Sequence, residues 1–249
     1  MRALRITLII AVILGVVFTA LDRIAVNFAE SEAAEKIRTS QGLSSAPEVS
    51  INGFPFLTQV VGKQLDDVDI SLSGVAALAG ERVVRVSEVR AELSEVTIDS
   101  GYTSAVAARA EGSARISYED LAQAAPEGAV VGYAGPERAA KNQVKVTGPL
   151  VKMLEGAGLR LPDTASALLG DRTVTAYSTV EIAGGDAVRL KAESLPELPV
   201  PGFDADLRRA MDYELDIEGI PVSLRLNQVT ADEKGLKVMG TGQGVTLVG

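Results

Sequence analysis

The chain of 249 residues contains no histidine, no cysteine and no tryptophan. Histidine most often exchanges protons near neutral pH, while cysteine supplies thiolate nucleophiles and, together with histidine, most zinc ligands. Their absence excludes a Ser-His-Asp triad, a Cys-His pair, any disulfide, and a zinc or haem site built from the usual ligands. The sequence therefore predicts no catalytic residues of these kinds, no metal site and no cofactor.

Positive charge is also scarce, since 24 lysines and arginines stand against 33 aspartates and glutamates, a net charge of −9. The overall field of such a chain does not attract nucleic acid, so no nucleic-acid partner is expected. Aromatic residues make up only 4% of a chain that is 47% hydrophobic, so its apolar content is mostly aliphatic. Abundant Val, Ile and Thr favour β-sheet, because branching at Cβ restricts the rotamers available in a helix.

The first charge-free run extends from Ile6 to Leu21 and follows Arg2 and Arg5. As a helix it would span about 24 Å, so it needs residues 3–4 and a snorkelling Arg5 to cross a hydrocarbon core of about 30 Å. We predict a signal peptide or signal anchor, a transmembrane helix, over residues 1–21. A buried core helix is not expected at an extreme N-terminus flanked in this way.

An uncleaved anchor is the favoured form of this segment. Signal cleavage requires small residues one and three positions before the cut, and Phe18 occupies the earlier position ahead of Ala20. The basic residues at the start of the chain predict that this side stays in the cytoplasm. We therefore expect a single-pass protein of the cell membrane whose residues 22–249 form an extracytoplasmic domain.

Alternation and turn residues behind the anchor predict a mixed α+β domain with many strands and few helices. The predicted helices cover 21–38, 54–64, 116–125 and 204–211, with Pro55 in the first turn of the second and Ser117 capping the third. The predicted strands cover 48–51, a segment around 68–72 that Gly74 ends or bulges, 81–99, 130–133, 142–151, 173–182, 187–193, 213–218, 220–230 and 236–247. Parity changes within 81–99 indicate a bulge, a bend or two strands meeting, as in a curved sheet. A single domain over 22–249 is the simplest division, because no low-complexity linker interrupts it.

Candidates for chemistry are weak. Asp66-Asp67-Val68-Asp69 could hold Ca²⁺, but its alternation is that of a solvated strand face and it lacks the EF-hand pattern. Gly-rich stretches at 183–186 and 240–244 lack the Lys-Ser/Thr ending of a phosphate loop. A curved sheet around a helix could leave an apolar groove for hydrocarbon, and small residues would make room in it: Ala105, Ala107, Ala108 and Ala110. A filled core is the open alternative, because apolar strand faces more often pack side chains.

Three segments carry a resemblance to a known family: INGFPFLTQVVGKQLDDVDISLSGV from Ile51, ISYEDLAQAA from Ile116, and IPVSLRLNQVTADEKGLKVMGTGQGVTL from Ile220. They resemble the LmeA-like phospholipid-binding family of actinobacterial envelope proteins, and GFPFLTQ at 53–59 is the most specific piece. The resemblance implies a domain of the tubular lipid-binding type, in which a curved antiparallel sheet wraps around a long helix. It also implies phospholipid binding, support of lipomannan elongation in mycobacteria, and no known catalytic residues. The stretch IPVSL at 220–224 departs from the Pro-Phe-Gly step that the family often shows.

We therefore predict a membrane-anchored, extracytoplasmic protein that binds phospholipid and acts in cell-envelope lipid or lipoglycan biogenesis without catalysis. The residues predicted to wall the acyl-chain site are Phe54, Phe56, Leu57, Val60, Val61, Val68, Ile70 and Leu72. Each would also serve in a filled core. Residues two apart on a helix point about 200° apart, so Phe54 and Phe56 should face different surroundings. Two alternatives stay open: a solid-cored scaffold for an envelope protein partner and, ranked last, an enzyme that acts on glycans with carboxylates alone.

Overall fold

The computed structural model describes residues 2–79, 82–101, 104–125, 128–156, 161, 166–167, 169–170, 172–194, 208, 212–217 and 223–248. The helices are α1 (Arg2–Ser40), α2 (Phe56–Gly62), α3 (Tyr118–Ala124), α4 (Pro136–Ala139) and α5 (Leu150–Gly156). The strands are β1 (Glu48–Asn52), β2 (Gln64–Ala79), β3 (Arg82–Ile98), β4 (Ser104–Ile116), β5 (Val130–Tyr133), β6 (Gln143–Pro149), β7 (Thr173–Ala183), β8 (Ala187–Ser194), β9 (Tyr213–Asp216), β10 (Leu224–Asp232) and β11 (Gly235–Val248). The predicted α+β class is confirmed.

The strands form two antiparallel sheets. The six-stranded sheet has the order β1-β2-β3-β4-β11-β10, and the five-stranded sheet has the order β5-β6-β7-β8-β9. At the edge of the larger sheet, Val49 pairs with Ile70 and Ile51 pairs with Val68. This register places apolar residues of β1 and β2 opposite one another, because side chains of paired residues share one face of a sheet.

The residues divide into two compact units, and each is described by itself. Unit 1 comprises Met1–Leu72, Arg90–Glu111 and Gly242–Gly249, and unit 2 comprises Ser73–Val89 and Gly112–Thr241. Helix α1 continues through residue 21 without a break. The anchor boundary after residue 21 and the single domain over 22–249 stay predictions.

In unit 1 the second half of α1 packs on strands of the larger sheet and on α2. The buried residues of this core are Val26, Ala34, Val49, Phe56, Leu65, Val68, Leu93, Val96, Ala107, Ala110 and Val245. Ala25, Ala29, Ala33 and Ile37 lie half-buried beside it. These four residues recur every fourth position, which places them on one side of a helix. The helix predicted for residues 21–38 is therefore confirmed, with one face against the sheet.

In unit 2 the five-stranded sheet packs with α5, β10 and β11 around a filled core. Strand β7 buries Val174, Ala176, Ser178 and Val180, while the residues between them are exposed or half-buried. This alternation directs one face of the strand into the core. The largest fully buried side chains of the core come from several elements: Val144, Leu150, Leu154, Leu169 and Val180. Large side chains without exposed surface indicate dense packing.

Two predicted boundaries are wrong. Helix α2 begins at Phe56, and Pro55 precedes it in an extended conformation with φ −79° and ψ 138°. Proline in the first turn was expected because its fixed φ suits a helix, but an extended ψ keeps Pro55 outside. The strand predicted to end at residue 151 ends at Pro149, because Leu150 begins α5. Strand β2 continues through Gly74, which has φ +67°, so Gly74 does not end the strand and its conformation agrees with the predicted bulge.

Two other predictions concern β3 and α3. The parity change late in β3 coincides with Glu95, which has φ +53° and stands between buried Leu93 and Val96. Ser117 caps α3, and its side chain accepts a hydrogen bond from the Asp120 N–H, as the sequence predicts. The helix predicted for 204–211 lies outside the described residues except for Arg208.

Candidate functional site

Helix α1 is apolar and exposed along its first half. Every described residue from 3 to 21 is exposed, and the most apolar window of the helix has a mean hydropathy of 2.5. Within the described residues, it is the one helix long and apolar enough to cross a membrane. Apolar side chains exposed on all sides of a helix are stable in an apolar environment, such as the hydrocarbon core of a bilayer.

The helix changes character at Asp22, directly after the apolar run. Asp22 has no exposed surface. Its carboxylate accepts hydrogen bonds from Arg23 Nη2 at 2.7 Å and from the Leu57 N–H at 2.8 Å. Burial acts to raise the pKa of Asp22, but the hydrogen bonds from Arg23, Leu57 and Phe56 and the charge of Arg23 outweigh it and hold the pKa below its usual value of 3.8. The ionised form is therefore favoured in the folded chain.

Residues 53–57 are fixed to α1 at this same point. The Arg23 guanidinium lies over the Phe54 ring, 5.5 Å from its centroid, and Arg23 Nη2 also donates to the Gly53 carbonyl at 3.5 Å. The Leu57 N–H donates to Asp22, as described above. Two consecutive residues of α1 thus hold the start of α2 through a cation–π contact and hydrogen bonds.

A second acidic residue of α1 holds the edge of the larger sheet. Glu30 accepts a hydrogen bond from the Ile51 N–H at 2.8 Å. Strand β1 is an edge strand, so this N–H would otherwise lack a partner in the sheet. Asp22 and Glu30 together tie α1 to the chain on both sides of the Gly53–Pro55 turn.

The last residue of the GFPFLTQ segment, Gln59, bonds to the chain on both sides of the segment. The Gln59 side chain accepts from the Asp66 N–H at 2.8 Å and donates to the Asn52 carbonyl at 3.2 Å. Gly53 has φ +96°, and a Cβ there would overlap Gln59 Nε2 and lie 2.7 Å from Asp66 Oδ2. The first residue of the segment must therefore be glycine so that the last can bridge two neighbouring chain segments.

The predicted wall residues occupy three kinds of place. Phe56 and Val68 belong to the buried core of unit 1, and Val60 and Ile70 lie half-buried against it. Leu57 and Leu72 are half-buried. Phe54 is 59% exposed and Val61 is 84% exposed. The two phenylalanines do face different surroundings, since Phe56 keeps only 5% of its surface exposed. Their part in binding lipid stays a prediction.

Small side chains meet inside unit 1. The face of α1 directed at the sheet carries Ala25, Ala29 and Ala33, and β4 contributes Ala107 and Ala110 to the same core. Ala105 also packs against this core, whereas Ala108 is exposed and lies outside any groove there. The expectation for Ala108 is wrong because the inward parity of β4 changes between residues 107 and 110.

Acidic side chains of the 66–69 cluster bond to polar side chains of neighbouring strands. Asp67 accepts from Ser94 Oγ at 2.7 Å, and Asp69 accepts from Asn52 Nδ2 at 2.7 Å. Among the described residues, no group of three or more acidic side chains is placed to hold a metal ion. Gly184 and Gly185 have positive φ in the turn that joins β7 to β8. Both motifs thus occupy ordinary structural positions.

Sequence reasoning missed Asp22 and Glu30. Their partners, Leu57 and Ile51, are 35 and 21 residues away, so no local pattern reveals the contacts. One signal was present: an acid followed by Arg23 directly after an uncharged run of 16 residues. This pair marks the end of the apolar run.

Comparison with known proteins adds one finding. No curated protein and no solved structure matches the chain. Residues 20–241 match the family described as LmeA-like phospholipid-binding. The match begins near the end of the apolar run and includes the GFPFLTQ segment, all of unit 2 and, from unit 1, residues 20–72 and 90–111. The chain therefore belongs to the LmeA-like phospholipid-binding family.

Proposed function

We propose that this protein is anchored in the cell membrane by α1 and binds phospholipid with its extracytoplasmic part. The match of residues 20–241 to a phospholipid-binding family carries the proposal. Arg2 and Arg5 precede the apolar run, and positive residues of this kind favour a cytoplasmic N-terminus. Residues from Asp22 onwards then lie on the other side of the membrane.

Unit 1 is the proposed location of the acyl chains. Its large buried side chains keep some exposure, such as Phe56 at 5% and Leu65 at 7%, whereas Leu150 and Leu154 of unit 2 keep none. Its α1 face and β4 carry alanines where bulkier residues would close the interior. A less tightly closed apolar interior is the better candidate to accept hydrocarbon, and each buried CH₂ would contribute roughly 0.8 kcal/mol.

The role proposed for binding is non-catalytic, in lipid or lipoglycan biogenesis of the cell envelope. The described acidic residues with stated partners bond to nearby strands, caps and arginines, which supports a structural use for them. In this proposal the protein binds phospholipid and breaks no bond of the lipid.

The test uses the full chain extracted from membranes in a mild detergent. Native mass spectrometry should detect phospholipid bound to the protein. Ala29→Phe, which places a large ring on the half-buried face of α1, should reduce that lipid strongly. Ser31→Phe is the matched control, because Ser31 lies on the exposed face of the same helix and its variant should retain lipid.

A chain without lipid that also takes up none from vesicles would overturn the proposal. A stoichiometric protein partner trapped by crosslinking, together with no lipid, would support the scaffold alternative. Lipid retained by Ala29→Phe at the same level as by Ser31→Phe would leave lipid binding in place but remove unit 1 as its location.

A further inference from the structure

Exposed large apolar side chains beyond the anchor belong mostly to two short segments of unit 1. The large hydrophobic residues that are exposed among the described residues from 22 onwards are Ile24, Phe28, Phe54, Val61, Val106 and Val130. Four of these six belong to the first seven residues of α1 after Asp22 or to the 54–61 segment. We call these four residues the exposed cluster, because several exposed apolar residues in two short segments indicate a contact surface, whereas single exposed residues need no explanation.

The height of this cluster above the membrane follows from α1. The helix rises about 1.5 Å per residue, so residues 3–21 span about 28 Å, close to a hydrocarbon core of about 30 Å. Asp22 and Arg23 therefore lie at the boundary between acyl chains and headgroups. Ile24 lies within the headgroup layer, which is about 5–8 Å deep on each side.

The 54–61 segment shares that height because it is bonded to those residues. The Phe54 ring lies under the Arg23 guanidinium, and the Leu57 N–H bonds to Asp22. Val61 follows Leu57 by one helical turn, so it lies within about 6 Å of it along α2. Two exposed apolar side chains are thus held beside the exit of a membrane span.

The composition of the cluster fits the boundary of a bilayer. Aromatic and aliphatic side chains with a neighbouring cation are typical of segments that lie at this boundary, because rings enter the acyl region while cations remain among phosphates. The Arg23 side chain is 48% exposed beside Phe54, which allows its guanidinium to contact a lipid phosphate.

We propose that residues 54–61 form a second membrane contact, in which Phe54 and Val61 enter the phospholipid layer that α1 crosses. This inference rests on the proposed membrane anchoring by α1. The contact places the core side of α2, with Phe56 and Val60, directly behind a surface that touches lipid. Phospholipid then reaches unit 1 from the bilayer without passing through water.

The absence of native cysteine allows a direct test with the full chain. Single-cysteine variants Phe54→Cys and Val61→Cys carry an environment-sensitive fluorophore in vesicles of phosphatidylethanolamine and phosphatidylglycerol. Val16→Cys, inside the apolar run, is the embedded control. Thr39→Cys is the solvent control, because Thr39 is exposed on the same helix about 25 Å beyond Asp22.

Labels at 16, 54 and 61 should show blue-shifted emission. The intensity of this emission should fall when the vesicles contain lipid with a spin-label quencher near the headgroup. The label at 39 should show neither change. Two positions in the segment keep the test valid if one variant does not fold, and circular dichroism checks folding.

Labels at 54 and 61 that behave like the label at 39, while 16 is quenched, would overturn the second contact and leave the anchoring intact. Blue-shifted emission at 54 and 61 without lipid quenching would also overturn it, since a protein surface would then cover the cluster. Absence of quenching at 16 would remove the anchoring and the inference together. Phospholipid bound to the same preparations, measured by mass spectrometry, reports separately on the binding function.

Discussion

Replacement of each phenylalanine in GFPFLTQ by alanine should have unequal effects on stability. Phe56 is 5% exposed and Phe54 is 59% exposed. An enclosed aromatic side chain buries about 200 Å², which at about 25 cal/mol per Å² is worth about 5 kcal/mol, an upper estimate because the unfolded chain is partly compact. Phe56→Ala should therefore lower the free energy of unfolding by about 3–5 kcal/mol.

Phe54 buries about two-fifths of its surface, so Phe54→Ala should cost about 1–2 kcal/mol, including the contact with Arg23. Urea unfolding of the full chain in detergent, followed by far-ultraviolet circular dichroism, measures both values under one condition. Equal losses, or a larger loss for Phe54→Ala, would refute the assignment of Phe56 to the core and of Phe54 to the surface. Per molecule of folded protein, Phe54→Ala should reduce the capture of phospholipid from vesicles more than Phe56→Ala does.

Three further changes test individual contacts. Gly53→Ala should cost about 1–3 kcal/mol and more than Gly42→Ala in the same unfolding assay, because both have positive φ but only Gly53 also has Gln59 and Asp66 in the way. Ser178→Ala should leave stability unchanged or raise it by about 1 kcal/mol, because the buried Ser178 hydroxyl has no protein partner, whereas Ser87→Ala should lower it, because that hydroxyl bonds to the Ser117 N–H. Asp22 has a lowered pKa, so its ionisation stabilises the fold above about pH 4, and this stabilisation is lost as the pH falls through the pKa of the folded state. Between neutral and acid pH, the free energy of unfolding of Asp22→Asn should therefore fall less than that of the unchanged chain.

Much of the fold follows from local pattern. Alternation in β7 and β8 places Val180 and Val188 inwards, and Ser117 marks the start of α3, because burial on one face and capping depend on residues close in sequence. The predicted start of α2 was wrong because proline suits both the first helical turn and the position before it, and its ψ angle decides between the two.

The candidate site was predictable only in part. The sequence was enough to select the segment 53–61. It could not predict that Phe56 is buried and Val61 exposed, because this depends on which side of α2 meets α1. The bond from the Leu57 N–H to Asp22 joins residues 35 positions apart, and no periodicity encodes such a contact. The division into two units was also hidden, because strands such as β2 contribute to both.

The unbroken course of α1 limits how far unit 1 can move from the apolar run. One rigid helix runs from the apolar run to Ser40 with no glycine or proline after Gly15, so no joint separates the bilayer from the interior of unit 1. The helix rises only about 28 Å beyond Asp22. With α1 in the membrane as proposed, unit 1 would stay beside that one membrane, and so would any phospholipid bound in it.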